Sequence, residues 1–100
     1  MNNIKDLDLS KMIDDELQTD DDIKEWLSLS LDEYVNDGDL NTFVRALEYV
    51  VRKKENISRV SKNTGISRSN LYAIFNGNVT PQFDTVLKVL KELGYKLKIS

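Results

Sequence analysis

From residue 20 onward the apolar positions recur at helical spacing. Ile23, Trp26, Leu27, Leu31, Tyr34 and Val35 lie three and four apart, which gathers them on one side of an α-helix. Asp20, Asp21 and Asp22 stand where such a helix starts, against its unpaired N–H groups and the positive end of its dipole, and Gly38 ends it. Asp39 opens a second helix with the stripe Leu40, Phe43, Val44, Leu47, Val50 and Val51. Its last turn, Arg52-Lys53-Lys54, sets cations at the dipole's negative end. Ahead of both, residues 1–19 carry scattered apolar positions and many acids. Ser10 is expected to cap one short helical turn through Leu17, too short and too charged to fold alone.

The pattern then shortens. Residues 57–64 make a two-turn helix with Val60 inward, followed by Thr64-Gly65-Ile66, where Gly65 supplies the positive φ of a tight turn. Ser67 caps a second short helix over residues 68–76, with Leu71, Ile74 and Phe75 as its inner face. Asn76-Gly77 closes it, and Pro81 marks an irregular link to a last helix over residues 82–93. That helix is expected to bury Phe83, Val86, Leu87, Leu90 and Leu93 before Gly94 stops it. Tyr95-Lys96-Leu97-Lys98-Ile99 alternates apolar and basic, which suits a half-buried strand that pairs with a second copy across a two-fold axis. Two short helices about a glycine turn, flanked by longer ones, form the helix-turn-helix arrangement.

Charge changes the picture. The net charge of -3 conceals an acidic first part and a basic second part. Residues 1–40 hold three lysines against thirteen acids, a balance of -10, whereas residues 41–100 hold eleven Lys or Arg against four acids, a balance of +7. A split of that size points to two partners: phosphate for the basic part and a basic protein for the acidic part. The division expected is an acidic N-terminal segment and helix (residues 1–38) and a helix-turn-helix domain (residues 39–100). With neither cysteine nor histidine, the chain has no disulfide, thiolate metal site or histidine-activated nucleophile. No catalytic residues, metal or cofactor are expected. Helix capping accounts for Asp20, Asp21 and Asp22 without a cation. No apolar run approaches a membrane span and no signal peptide begins the chain, so a cytoplasmic location is expected.

The short helix over residues 68–76 carries the chemistry. Its outward positions read Ser67, Arg68, Ser69, Asn70, Tyr72 and Ala73. A helix entering a DNA major groove about 12 Å wide needs short or forked polar side chains there. Arginine forks onto guanine O6 and N7, asparagine onto adenine N6 and N7, and Ser67 and Ser69 suit phosphates at the helix N-terminus. Between Glu55 and Asp84 no acid occurs for 28 residues, in a chain with 17 Asp and Glu. That gap falls where phosphates would lie.

The stretch Ile57-Ser58-Arg59-Val60-Ser61-Lys62-Asn63-Thr64-Gly65-Ile66-Ser67-Arg68-Ser69-Asn70-Leu71-Tyr72 resembles the helix-turn-helix of phage-repressor-like regulators. More narrowly, the chain is similar to addiction-module antidote proteins, the HigA-like antitoxins of type II toxin–antitoxin pairs. Residues 19–27, Asp37-Gly38-Asp39 leading into Arg45-Ala46-Leu47, and Phe83-Asp84-Thr85-Val86-Leu87-Lys88-Val89-Leu90 through Leu93-Gly94 match that family's pattern, and the resemblance covers about residues 8–99. It implies an all-α fold, a five-helix phage-repressor-like domain with an extra acidic N-terminal helix and a short C-terminal β-strand. It further implies an antitoxin that binds a small basic RelE/ParE-type toxin and represses the shared operon. DNA contacts then fall to Ser67, Arg68, Ser69, Asn70, Tyr72 and Ala73, with Ser58 and Arg59 near the backbone. The chain departs from the family pattern at Asn56 and Arg59. A single recognition helix buries too little to select an operator, so a homodimer on palindromic double-stranded DNA is expected. Two alternatives stay open: a stand-alone transcriptional repressor, and a protein–protein adaptor with a degenerate helix-turn-helix.

Overall fold

In a computed structural model, which describes residues 19–98, the chain folds into five α-helices and, among those residues, no strand. They are α1 Asp20–Asp37, α2 Leu40–Lys54, α3 Ile57–Thr64, α4 Arg68–Phe75 and α5 Phe83–Glu92. The turn expected from Ser10 to Leu17 lies outside the described residues. Four of the five helices start on a side chain that accepts a backbone N–H otherwise left without a partner. Thr19 accepts from Asp22 N at 3.1 Å while Asp22 accepts from Thr19 N at 3.2 Å, a reciprocal capping box. Asp39 accepts from Asn41 N (3.0 Å), Asn56 from Arg59 N (2.8 Å) and Ser67 from Asn70 N (3.1 Å).

Helix α2 is the spine. Its Phe43, Val44, Ala46, Leu47, Val50 and Val51 are all buried, and they meet Ile23 and Leu27 of α1, Ile57 and Val60 of α3, and Leu71, Ile74 and Phe75 of α4. Val89 and Leu90 of α5 complete the core with Ile66, Leu93 and Tyr95 from the connecting segments. Burying an aliphatic or phenyl side chain of this size contributes about 1.5–3 kcal/mol over leaving it in water. Trp26 and Tyr49 pack edge to face at 5.4 Å against the rim of that core.

The inner face of α1 follows the predicted stripe at Ile23, Trp26, Leu27, Leu31 and Tyr34, all buried or packed against the core, but takes in Ser30 and leaves out Val35. Ile23, Leu27 and Ser30 are buried and Tyr34 is half-buried, so positions 23, 27, 30 and 34 form the inward row. Ser30 tolerates its place because its hydroxyl donates to the Trp26 carbonyl at 2.9 Å. Val35, one residue beyond Tyr34, therefore turns outward and is 74% exposed. Phe83 also departs from expectation: it is 70% exposed, with Val86 and Leu87 only partly buried. Helix α5 packs on α3, and its buried residues are in its second half.

The expected C-terminal strand is not present at residues 95–98, and Ile99 lies outside the described residues. An all-helical body offers a strand no edge to pair with. Tyr95 folds back instead, its N–H donating to the Leu90 carbonyl at 2.9 Å and its ring burying in the core. No described helix is long and apolar enough to cross a membrane.

Candidate nucleic-acid interface

Helices α3 and α4 have the arrangement of a helix-turn-helix unit. Gly65 takes φ of 80°, a left-handed conformation in which a side chain would be strained, although a Cβ there would meet no atom within 4 Å. The demand is on backbone conformation, not on space. The Thr64 hydroxyl stitches the turn by donating to the Val60 carbonyl (2.6 Å) and accepting from Ile66 N (3.2 Å). Ile66 anchors the loop in the core. On α4, fully buried Leu71 with Ile74 and Phe75 fixes the helix to the body, which leaves the other side turned to solvent.

That side carries the residues expected to read DNA. Ser67, Arg68, Ser69 and Asn70 are exposed, Tyr72 is 45% exposed, and Ala73 is half-buried. They occupy the positions around the first two turns of α4 that Leu71, Ile74 and Phe75 leave uncovered. Ser67 is committed to capping through Asn70 N, whereas the Asn70 side chain has no hydrogen-bond partner among the described residues. Arg68 reaches back to α3, its Nη1 donating to Ser58 Oγ at 3.3 Å. Ser58 and Arg68 thus meet across the turn. Arg59 is drawn the other way, its Nε 3.7 Å from Glu55 Oε1 at the end of α2.

The meeting of α2, α3 and α4 leaves a notch of about 340 Å³ lined by Arg52, Glu55, Asn56, Ile57, Ser58 and Tyr72. Arg52 and Asn56 are members of this surface that sequence reasoning missed. The missed signal at Asn56 was local, a capping residue directly before an apolar one; Arg52 joins only through tertiary packing. Arg52 is itself paired with Glu48 at 3.0 Å. Of the basic last turn of α2, Lys54 is turned away from this surface. Its Nζ donates to Asp20 Oδ1 (3.0 Å), the Leu93 carbonyl (3.1 Å) and the Tyr95 hydroxyl (3.0 Å). Glu55 is the acid at the edge of the notch. The neighbouring Glu92 carboxyl first, then burial, holds the Glu55 carboxyl above the usual range against the pull of Arg59. Residues 56–83 therefore present Arg59, Lys62 and Arg68 with no acid among them.

Such a surface suits a polyanion. Its cations and helix N-termini attract phosphate, and its small and forked side chains match base edges. Among the described residues no group of three or more acids is placed to hold a metal ion.

Comparison with known proteins bears on the acidic part as well. The chain is 29% identical over 96 residues to an uncharacterized protein of Haemophilus influenzae, covering 96% of this chain and 90% of that relative. No solved structure matches it. The profile of the family described as "Probable addiction module antidote protein" matches residues 3–100. Nearly the whole chain is spanned by that match, and the protein belongs to the family of probable addiction module antidote proteins.

Proposed function

We propose that this protein is a cytoplasmic, non-enzymatic antitoxin of the HigA-like, phage-repressor-related kind, which neutralises a small basic RelE/ParE-type toxin and represses its own operon. Family membership supplies the antidote role. The observation that carries the DNA arm is the outward, acid-free row on α4. Arg68 and Asn70 read base edges, Ser67, Ser69 and Tyr72 hold phosphates or sugars, and half-buried Ala73 lets the helix approach closely. Ser58 and Arg59 steady the backbone beside them.

The charge split supports a division of labour. Residues 1–38 face the basic toxin and residues 39–100 face DNA, so each partner meets the opposite sign. A homodimer on a palindrome doubles the contacts of one module, which alone buries only about 600–1,000 Å².

Co-expression with the neighbouring toxin-sized reading frame, in cells carrying a promoter reporter, tests both arms together. The expected result is that the wild-type protein restores growth and silences the reporter, while Asn70→Ala restores growth without silencing it. Failure to restore growth refutes the toxin arm; silencing by Asn70→Ala as strong as by the wild type refutes the DNA arm.

A further inference from the structure

We propose that the groove between α1, α2, α5 and the C-terminal tail seats residues 9–17 of the same chain, folded back onto it from the start of α1. The inference goes beyond the antitoxin reading and needs neither DNA nor toxin to hold.

The groove measures about 540 Å³. Leu27, Phe43 and Leu90 reach it from three helices, and Leu31 and the 37% exposed Leu97 line it too. Its charged lining is Lys24, Lys96 and Lys98, with no acid among them. Among the described residues Lys96 and Lys98 have no ion-pair partner, and Lys24 is held only at 3.8 Å by Asp20. That combination selects the occupant. Cations alone would suit phosphate, and an apolar surface alone a neutral partner. Apolar walls edged by lysines call for an amphipathic segment whose polar positions are carboxylates.

The residues ahead of α1 have that character. Residues 1–18 hold five acids against Lys5 and Lys11. Leu9, Ile13 and Leu17 recur every fourth residue, the spacing of one side of a helix, and Asp14 and Glu16 flank them. The point of attachment also fits. Residue 18 joins Thr19, the cap of α1, and Asp20 beside it accepts from the hydroxyl of Tyr95, a groove residue, at 2.6 Å. The segment therefore leaves α1 at the groove's edge. Helix α1 borders the groove from Lys24 to Leu31, about 10 Å at the helical rise, and Leu9 to Leu17 covers about 12 Å at the same rise. Gln18 and Thr19 are a link of the length that joins two antiparallel helices. So short a helix does not persist alone, and the groove supplies the apolar contact it lacks. The short tether keeps the segment's effective concentration high, an advantage that the same segment of a second copy does not have. Seated in this way, Asp14 and Glu16 approach the lysines while Asp8 and Asp15 stay outward.

The chain contains no cysteine, so a nitroxide on Lys11→Cys reports from one place in the full-length protein. The expected result is selective loss of the amide signals of Ser28, Leu31 and Leu97, with Ser69 and Asn70 on α4 unaffected. Ile13→Asp on the segment and Leu97→Asp in the groove each remove the loss while the α4 signals stay those of the folded protein. Lys96→Glu with Lys98→Glu weakens it, and adding Asp14→Lys with Glu16→Lys restores it. Spin-labelled protein mixed with isotope-enriched protein that carries no nitroxide is expected to leave the enriched spectrum unchanged. Loss spread evenly over all five helices, or loss that survives Ile13→Asp and Leu97→Asp, would overturn the proposal. Loss at the groove in the mixed sample would overturn it as well, by making the occupant a second copy.

Discussion

At Tyr95 three distant parts of the chain share one hydroxyl. It donates to Asp20 Oδ1 at 2.6 Å, accepts from Lys54 Nζ at 3.0 Å, and its ring lies 4.4 Å below the same ammonium. The start of α1, the end of α2 and the tail are thereby fastened together. Tyr95→Phe keeps the packing and removes the hydroxyl, and is expected to cost about 1 kcal/mol of stability by denaturant unfolding. The Tyr95 hydroxyl first, and Lys54 second, hold the Asp20 carboxyl below its usual range. Its folded pKa lies below its unfolded one, so its contribution is whole above the unfolded value and is lost as pH falls through the folded value. Melting curves of wild type and Asp20→Asn should therefore differ most near neutrality and converge in acid. Glu55 has the opposite sign. Its carboxyl is raised by Glu92 and by burial, so the charged form is penalised in the fold. Glu55→Gln should melt higher than wild type at neutral pH, with the gain disappearing in acid. None of this was readable from residue order, because Asp20, Lys54 and Tyr95 are separated by tens of residues. Two of the four caps were readable: Asp39 and Ser67 each stand at a predicted helix start with an oxygen in reach of the first turn, whereas Thr19 and Asn56 were not read as caps.

Among elements, α4 depends on the turn before it and on the core beneath it. Gly65→Ala forces a side chain into φ of 80° and is expected to destabilise the fold by roughly 1 kcal/mol. Leu71→Ala empties a fully buried position and should cost about 2–5 kcal/mol, measured by chemical denaturation. Helix spans were legible because apolar spacing and capping residues agree over four of the five. Faces were less so. On α1 the inward row passes through Ser30, a residue whose polarity conceals its place until its hydroxyl is seen bonded to Trp26. On α5 the spacing counts Phe83 with the core, yet the helix engages the body through Val86, Val89 and Leu90 and leaves its first residue in solvent. The tail alternates as a strand does, but alternation says nothing about whether an edge exists, and the tyrosine that begins it is claimed by Lys54 and Asp20.

For the whole molecule, the sequence already separates two kinds of surface by charge; no acid lies on α4 itself, while Glu55 and Glu48 hold the neighbouring Arg59 and Arg52. The antidote role rests on family membership spanning residues 3–100. The proposed DNA surface rests on geometry: Ser67, Arg68, Ser69, Asn70 and Tyr72 are exposed as the spacing predicts and Ala73 is half-buried, while the notch with Arg52 and Asn56 emerges only where α2, α3 and α4 meet. If this surface lies on a duplex, Arg68→Ala should cost about 1–3 kcal/mol of operator affinity and relax preference at one base. An equal loss on every sequence would assign Arg68 to phosphate, in keeping with its reach toward Ser58. The most direct measurement is a binding titration of the protein against its own promoter DNA, and against an unrelated duplex, at several salt concentrations. The expected result is tighter binding to the promoter, affinity falling linearly on logarithmic axes as salt rises, and loss of the promoter's advantage in the Asn70→Ala variant. Affinity indifferent to salt, or a promoter preference untouched by Asn70→Ala, would contradict α4 as the element that reads DNA.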